Sequence, residues 1–193
     1  PDRITGALHE AAGTHAREVC TIEDVTATRA VMAIQGPRAR EHAARAIGEA
    51  SATPRFRVCA VSGDLFTGWA AGTGYTGEDG IELHVPAAQA AATWRALLAT
   101  GLVPAGLGAR ATLRPEAGLP LHGHELGPGI TPLQAGLGWV VRFDKGDFRG
   151  RDALLAERDR GVSRTLRGLV VDGRQIPRAG CPVTIGGDAV GEV

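Results

Sequence analysis

Glycines at positions 72, 74, 77 and 80 lead into a segment that alternates, and this order of features constrains the fold more than any other. Gly72-Thr73-Gly74-Tyr75-Thr76-Gly77 satisfies G-x-G-x-x-G. Such a run holds a dinucleotide when a strand precedes it and a helix follows, because the helix amides then face the pyrophosphate. Here Ile81-Glu82-Leu83-His84-Val85 follows, apolar and polar by turns, which is the period of a half-buried strand. A loop between two strands has no helix end to offer a phosphate. The dinucleotide reading is therefore excluded, and a strand, a glycine loop and a strand are expected.

A length of 193 residues fits one large domain or two small ones with a real core. The 28 glycines and 11 prolines favour turns and β-structure. With 21 basic and 21 acidic residues the net charge is zero, so the chain lacks the overall footprint of a nucleic-acid or anionic-membrane binder. The basic residues Arg164, Arg167, Arg174 and Arg178 read as a solvated face. No apolar run approaches the roughly 18 residues of a membrane span, and no signal-peptide layout opens the sequence. Cys20, Cys59 and Cys181 are odd in number and far apart, which reads as reduced, mostly buried thiols of a cytosolic protein and not as a disulfide or zinc framework.

Along the chain, Gly6–Ala12 is helix-like, and Cys20–Val25 and Arg29–Gln35 read as strands. Pro37 opens a helix over Arg38–Ala50, as a proline in a first turn does. Phe56–Val61 and Leu65–Ala71 are further strands. A helix runs from Pro86 to Thr100, with Ala91, Trp94, Leu97 and Leu98 at helical spacing, and Gly101 ends it. A shorter helix covers Leu107–Arg114. Residues 118–133 form an irregular loop dense in glycine and proline, the kind that usually carries function. Trp139–Val141 reads as a strand and Gly150–Arg160 as a helix.

From Leu166 onward everything reads as β, ending in a strand, a Gly186-Gly187 turn and a second strand. The fold class is α+β: mixed or antiparallel sheets with flanking helices, then a β-rich, barrel-like C-terminal region cut short. The expected domains are residues 1–145 and 146–193. Because the first residue is not methionine and the final strand is interrupted, a fragment is expected.

Arg110 and Arg114 lie four apart and share a helix face. An anionic partner would bind both guanidinium groups, while a pairing with Glu116 would satisfy them as well. Glu82, on the polar face of its strand, suits either a bound heterocycle's N–H groups or plain solvent. Tyr75, the single tyrosine, is either a stacking surface or a turn anchor. His122-Gly123-His124-Glu125 offers ligand-type side chains without a third ligand at identifiable spacing, so no metal is expected. Neither a nucleophile motif nor a phosphate loop is present, and catalytic residues stay unassigned. Pattern alone describes a cleft that binds an anionic small molecule.

The blocks Gly74–Glu82 and Gly106–Gly118 resemble the two signature segments of the aminomethyltransferase, or T protein, family of the glycine cleavage system. Leu119–Leu126, Thr131–Leu133, Gly136–Trp139, Asp147–Leu154 and Arg174–Val193 continue the likeness, and Ile34-Gln35-Gly36-Pro37 extends it more weakly toward the start. The resemblance implies transfer of a one-carbon unit from an aminomethyl-lipoyl carrier, the H protein, to tetrahydrofolate, with release of ammonia. It implies that Glu82 hydrogen-bonds the pterin ring, that Tyr75 lines the folate pocket, and that Arg110 and Arg114 lie near the cofactor's carboxylates.

Ala111 stands where the family has aspartate, Pro115 where it has leucine, and His122 where it has tyrosine. Pro115 is expected to end the helix just past Arg114. The family's catalytic aspartate lies upstream of the matched region and a further folate-contacting arginine lies downstream, so little turnover is expected of this chain alone. The alternatives are the folate domain of a dimethylglycine or sarcosine dehydrogenase, a folate-dependent demethylase, or a non-catalytic folate-binding relative. The last carries K-G-C-Y-x-G-Q-E, whose lysine, cysteine and glutamine are missing from Gly74–Asp79.

Overall fold

The alternation read at residues 81–85 is the middle of the molecule's principal sheet. In the computed structural model, which describes residues 2–15 and 21–193, four strands pair in the order β1-β4-β3-β2, every neighbour antiparallel. They are β1 (Arg29–Gln35), β2 (Val58–Ser62), β3 (Thr67–Ala71) and β4 (Gly80–Pro86). On β4 the odd positions Ile81, Leu83 and Val85 are fully buried, while Glu82 and His84 between them are half-buried on the other face. Period two thus assigns each side chain to a face.

Two helices cover the core face: α2 (Ala39–Ile47) and α3 (Ala87–Ala99). Ala39 and Ala43 of α2 and Leu97 of α3 pack with Met32, Ile34, Phe66, Ala70, Ile81, Leu83 and Val85. Small alanines on α2 let the helix lie close to the sheet. His42 Nδ1 meets the Thr100 carbonyl oxygen at 2.7 Å, tying α2 to the C-terminal end of α3. The chain also has α1 (Asp2–His15), α4 (Leu107–Glu116) and α5 (Arg151–Arg160). It divides into two compact units, Pro1–Leu119 and Pro120–Val193. The fold is α+β with an antiparallel sheet and flanking helices, as expected.

The second unit holds fewer regular elements. In it Gln134 Nε2 donates to Oε1 of the buried Glu157 at 2.7 Å, and Gln134 Oε1 accepts from Arg164 Nε at 3.0 Å. Arg164 is exposed, as expected of a solvated face, and also donates from Nη2 to the Gly129 carbonyl at 2.9 Å. The chain ends in an antiparallel hairpin, β5 (Pro182–Ile185) and β6 (Asp188–Glu192), turned at Gly186 and Gly187.

Several expectations are corrected. Residues 21–25 are not a strand, and Cys20 lies outside the described residues. Residues 138–140 form a 3-10 turn, because three apolar residues without alternation carry no strand signal. Between 162 and 181 no strand forms, and the regular β-structure of the C-terminal part is one hairpin, so the barrel-like expectation is not confirmed. On α3, Thr93 and Leu97 face the core while Ala91 and Trp94 are exposed. Thr93 is accommodated there because its hydroxyl donates to the Gln89 carbonyl at 2.9 Å. Cys59 and Cys181 are exposed thiols, not buried ones.

Pro115 lies inside α4, which runs on to Glu116. The helix therefore does not end just past Arg114 as expected, but closes beyond the proline in a Schellman turn. Leu119 N–H donates to the Arg114 carbonyl at 2.8 Å, and Gly118 N–H to that of Pro115 at 2.9 Å, with Gly118 at φ +69°.

Candidate functional site

The glycine loop, residues 72–79, joins β3 to β4, so the expected strand, loop and strand are observed. Its shape is set from beneath by Gln35 at the end of β1. The two protons of Gln35 Nε2 are shared among the carbonyls of Ile34 at 3.1 Å, Thr73 at 3.2 Å and Ile81 at 3.3 Å, and its Oε1 accepts from Thr76 Oγ1 at 3.3 Å. The approach is close enough that a Cβ on Gly74 would lie 1.8 Å from Gln35 Oε1, so a larger residue there would displace the amide from beneath the loop. At the far end of the loop Arg40 of α2 engages Asp79 Oδ2 at 2.7 Å and the Gly80 carbonyl at 2.9 Å. The same guanidinium donates to the carbonyls of Ser51 and Thr53, both at 2.7 Å. The hydrogen bond from Arg40 holds the Asp79 carboxyl below the usual aspartate range.

On top of this base, Glu82 stands on β4 opposite Ala33 of β1 and Ala71 of β3. Both in-register neighbours are alanines, so neither adjacent strand sets a long side chain directly beside the carboxylate. Thr73 Oγ1 donates to Glu82 Oε2 at 2.5 Å. His84, Trp69 and Val31 lie in register one step along the same sheet face. Arg29 covers the Trp69 ring, its guanidinium carbon 5.0 Å from the ring centroid.

Tyr75 is half-buried in the loop, and the Arg110 guanidinium lies over its ring at 4.8 Å. One face of the tyrosine is thus taken by a cation, an arrangement the ring's electron-rich face favours. Gly77, at φ +80°, brings the loop against the end of α4: a Cβ there would meet Ala117 Cβ at 2.6 Å. This contact brings α4, and with it Arg110, to the tyrosine. Arg114, one turn on, instead donates from Nη1 to the carbonyl of Leu119 at 3.2 Å and buttresses the turn that closes its own helix.

Of the four residues singled out in the sequence, Tyr75 and Arg110 therefore meet directly. Glu82 joins them through the loop, by way of Thr73, and Arg114 is turned toward the helix end. Gln35 and Arg40 were not legible as site residues. The available signal for Gln35 was a lone amide closing an otherwise apolar strand before Gly36-Pro37. In the second unit, Glu125 Oε2 accepts from Leu121 N–H at 2.9 Å, so this carboxylate shapes the turn around His122 and His124. Among the described residues no group of three or more His, Cys, Asp or Glu side chains could hold a metal ion.

Residues 4–145 match the family model described as the GCVT N-terminal domain. The chain belongs to this family. Within it, the chain is 47% identical over 187 residues to the aminomethyltransferase of Moorella thermoacetica, covering 89% of this chain and 48% of that protein. It is 54% identical over 129 residues to the aminomethyltransferase of Streptomyces avermitilis, covering 63% and 35% respectively. The crystal structure of glycine cleavage system aminomethyltransferase T from Bartonella henselae is similar over 71% of this chain and 38% of that one. The TM-score is 0.62 and the identity 35%. The chain spans about half the length of the first of these curated relatives. As a GCVT-family chain it carries the glycine loop, Glu82 and α4 inside the matched region.

Proposed function

We propose that this chain forms the tetrahydrofolate-binding part of an aminomethyltransferase of the glycine cleavage system. Such an enzyme passes a one-carbon unit from an aminomethyl-lipoyl carrier, the H protein, to tetrahydrofolate and releases ammonia. The observation that carries the reading is the reach of the glycine loop, which contacts Glu82 through Thr73 and Arg110 through Tyr75. Sequence identity of 44–54% to aminomethyltransferases supports it.

The residues fit the two chemistries a folate presents. Its pterin ring carries N–H donors, and its glutamate tail carries carboxylates. Glu82 supplies a half-buried acceptor on a rigid strand, flanked by alanines in register. Arg110 supplies an exposed guanidinium at one end of the tyrosine contact, and Arg114, one turn on and held to the Leu119 carbonyl through Nη1, adds positive charge near by. The bound folate supplies the nitrogens that accept the carbon, while the protein's part is to fix its orientation and balance its charge.

Residues 1–145 belong to the folate-binding domain in this reading, and 146–193 begin a second domain. The setting is the cytoplasm, where the lipoylated carrier docks. No helix among the described residues is long and apolar enough to cross a membrane.

Calorimetric titration of the purified chain with tetrahydrofolate, beside Glu82→Ala and Arg110→Ala, tests the reading. Saturable binding weakened by both substitutions is the expected result. A folded chain that binds no folate overturns it.

A further inference from the structure

We infer that Thr73 is a positioning residue for Glu82, and that Gln35 anchors Thr73 in that role; the inference rests on the folate reading above. A glutamate on a strand can turn about three side-chain bonds, so β4 fixes where Glu82 stands but not how its carboxylate is oriented. The Thr73 hydroxyl has one proton to give, and gives it to Oε2 at 2.5 Å. With Oε2 held, rotation of the carboxylate is restricted, and Oε1 is the oxygen left to accept from an incoming N–H.

A threonine on a mobile loop would hold nothing. Thr73 is fixed because Gln35 Nε2 binds its carbonyl and, with the same amide group, the carbonyl of Ile81 just before Glu82. One carboxamide therefore spans the loop and the strand on either side of the Thr73–Glu82 bond. An ionised glutamate at 35 would have no proton for either carbonyl. Neither Thr73 nor Gln35 needs to touch the folate, since both act through Glu82.

The test is calorimetric titration of the full chain with tetrahydrofolate, with circular dichroism to verify folding. Thr73→Val keeps the shape and removes the hydroxyl, whereas Thr73→Ser keeps the hydroxyl. Thr73→Val is expected to weaken binding about tenfold, the scale of one hydrogen bond to a charged group. Thr73→Ser should restore binding to near the original value, and Gln35→Glu should weaken it as Thr73→Val does. Adding Thr73→Val to Glu82→Ala should cost nothing further.

Equal binding by Thr73→Val and the unaltered chain overturns the positioning role alone. So does a loss that Thr73→Ser fails to restore, or one that adds fully to that of Glu82→Ala. If Thr73→Val does not fold, Thr73→Ala against Thr73→Ser makes the same comparison. Absence of binding by the unaltered chain overturns the folate reading itself, and this inference with it.

Discussion

Arg40 and Asp79, 39 positions apart in sequence, meet at 2.7 Å, and the rest of the guanidinium is spent on three backbone carbonyls. The ion pair is the weaker half of this arrangement, because Asp79 is more than half exposed. The carbonyls of Ser51, Thr53 and Gly80 are what the arginine satisfies. Arg40→Ala is therefore expected to destabilise the first unit by about 3 kcal/mol, and Asp79→Asn by about 0.5 kcal/mol. Urea unfolding of the two variants should show that ranking; equal losses would mean that the ion pair, not the carbonyls, carries the contact.

Two separate ion pairs, Arg40–Asp79 and Arg38–Glu41, set a dependence on acid. Asp79 is held below its ordinary value chiefly by Arg40, and Glu41 is pulled down to about 2 chiefly by Arg38. A carboxyl depressed by folding adds stability above its unfolded value and loses it as the pH falls toward the folded one. For Glu41 that window runs from 4.5 down to about 2. Stability measured by urea unfolding should be level above pH ~5 and fall below it. Glu41→Gln combined with Asp79→Asn should make the acid limb shallower, and an unchanged limb would assign it to other carboxylates.

Gly77 carries two constraints that can be separated. Alanine there would strain a backbone at φ +80° and press on Ala117. Gly77→Ala is expected to cost about 2 kcal/mol, and adding Ala117→Gly should recover the steric part while the backbone part remains. Thermal melts of the single and double variants read the division directly. Full recovery in the double variant would show that the backbone strain counts for little.

Arg110 stacks on Tyr75, and lysine cannot reproduce a flat guanidinium on a ring. Under the folate reading, Arg110→Lys should keep part of the charge attraction and lose the fixed geometry. Affinity is expected to fall about tenfold for Arg110→Ala and by less for Arg110→Lys. The loss should shrink when the titration is repeated at high salt, since exposed charges are screened. A salt-independent loss would point to a packing role for the side chain.

Both described cysteines are exposed, against the reading made from their sequence context. Cys59 and Cys181 should label with a maleimide in the folded chain at rates close to those in denaturant. A protected Cys59 would indicate that something covers the β2 edge of the sheet in solution.

The elements read most accurately from sequence were those whose periodicity leaves one solution. Strand β1 was read as Arg29–Gln35 and is observed over those residues, and β4 differs by one residue at each end. The misreadings fall where apolar residues cluster without a period. Leu169, Val170 and Val171 look like strand material, yet Val170 is 98% exposed and nothing pairs with it among the described residues. At the site, Glu82 was visible because alternation placed it on the polar face. Its dependence on Gln35 was not, because the partners are backbone carbonyls, which have no letter in a sequence. Arg110 reaching Tyr75 was hidden for a different reason: the contact depends on how the loop packs on α4, through a glycine and an alanine 40 positions apart.

Strand β4 serves both sides of the sheet, with Ile81, Leu83 and Val85 in the core and Glu82 and His84 on the opposite face. A strand that slipped by one residue would bury a carboxylate and expose leucine, a state too costly to populate. The site therefore has no nearly right setting: it is either in place or the layer beneath it has come apart. Substitutions in the core should thus change the fraction of molecules that work rather than how well each one binds.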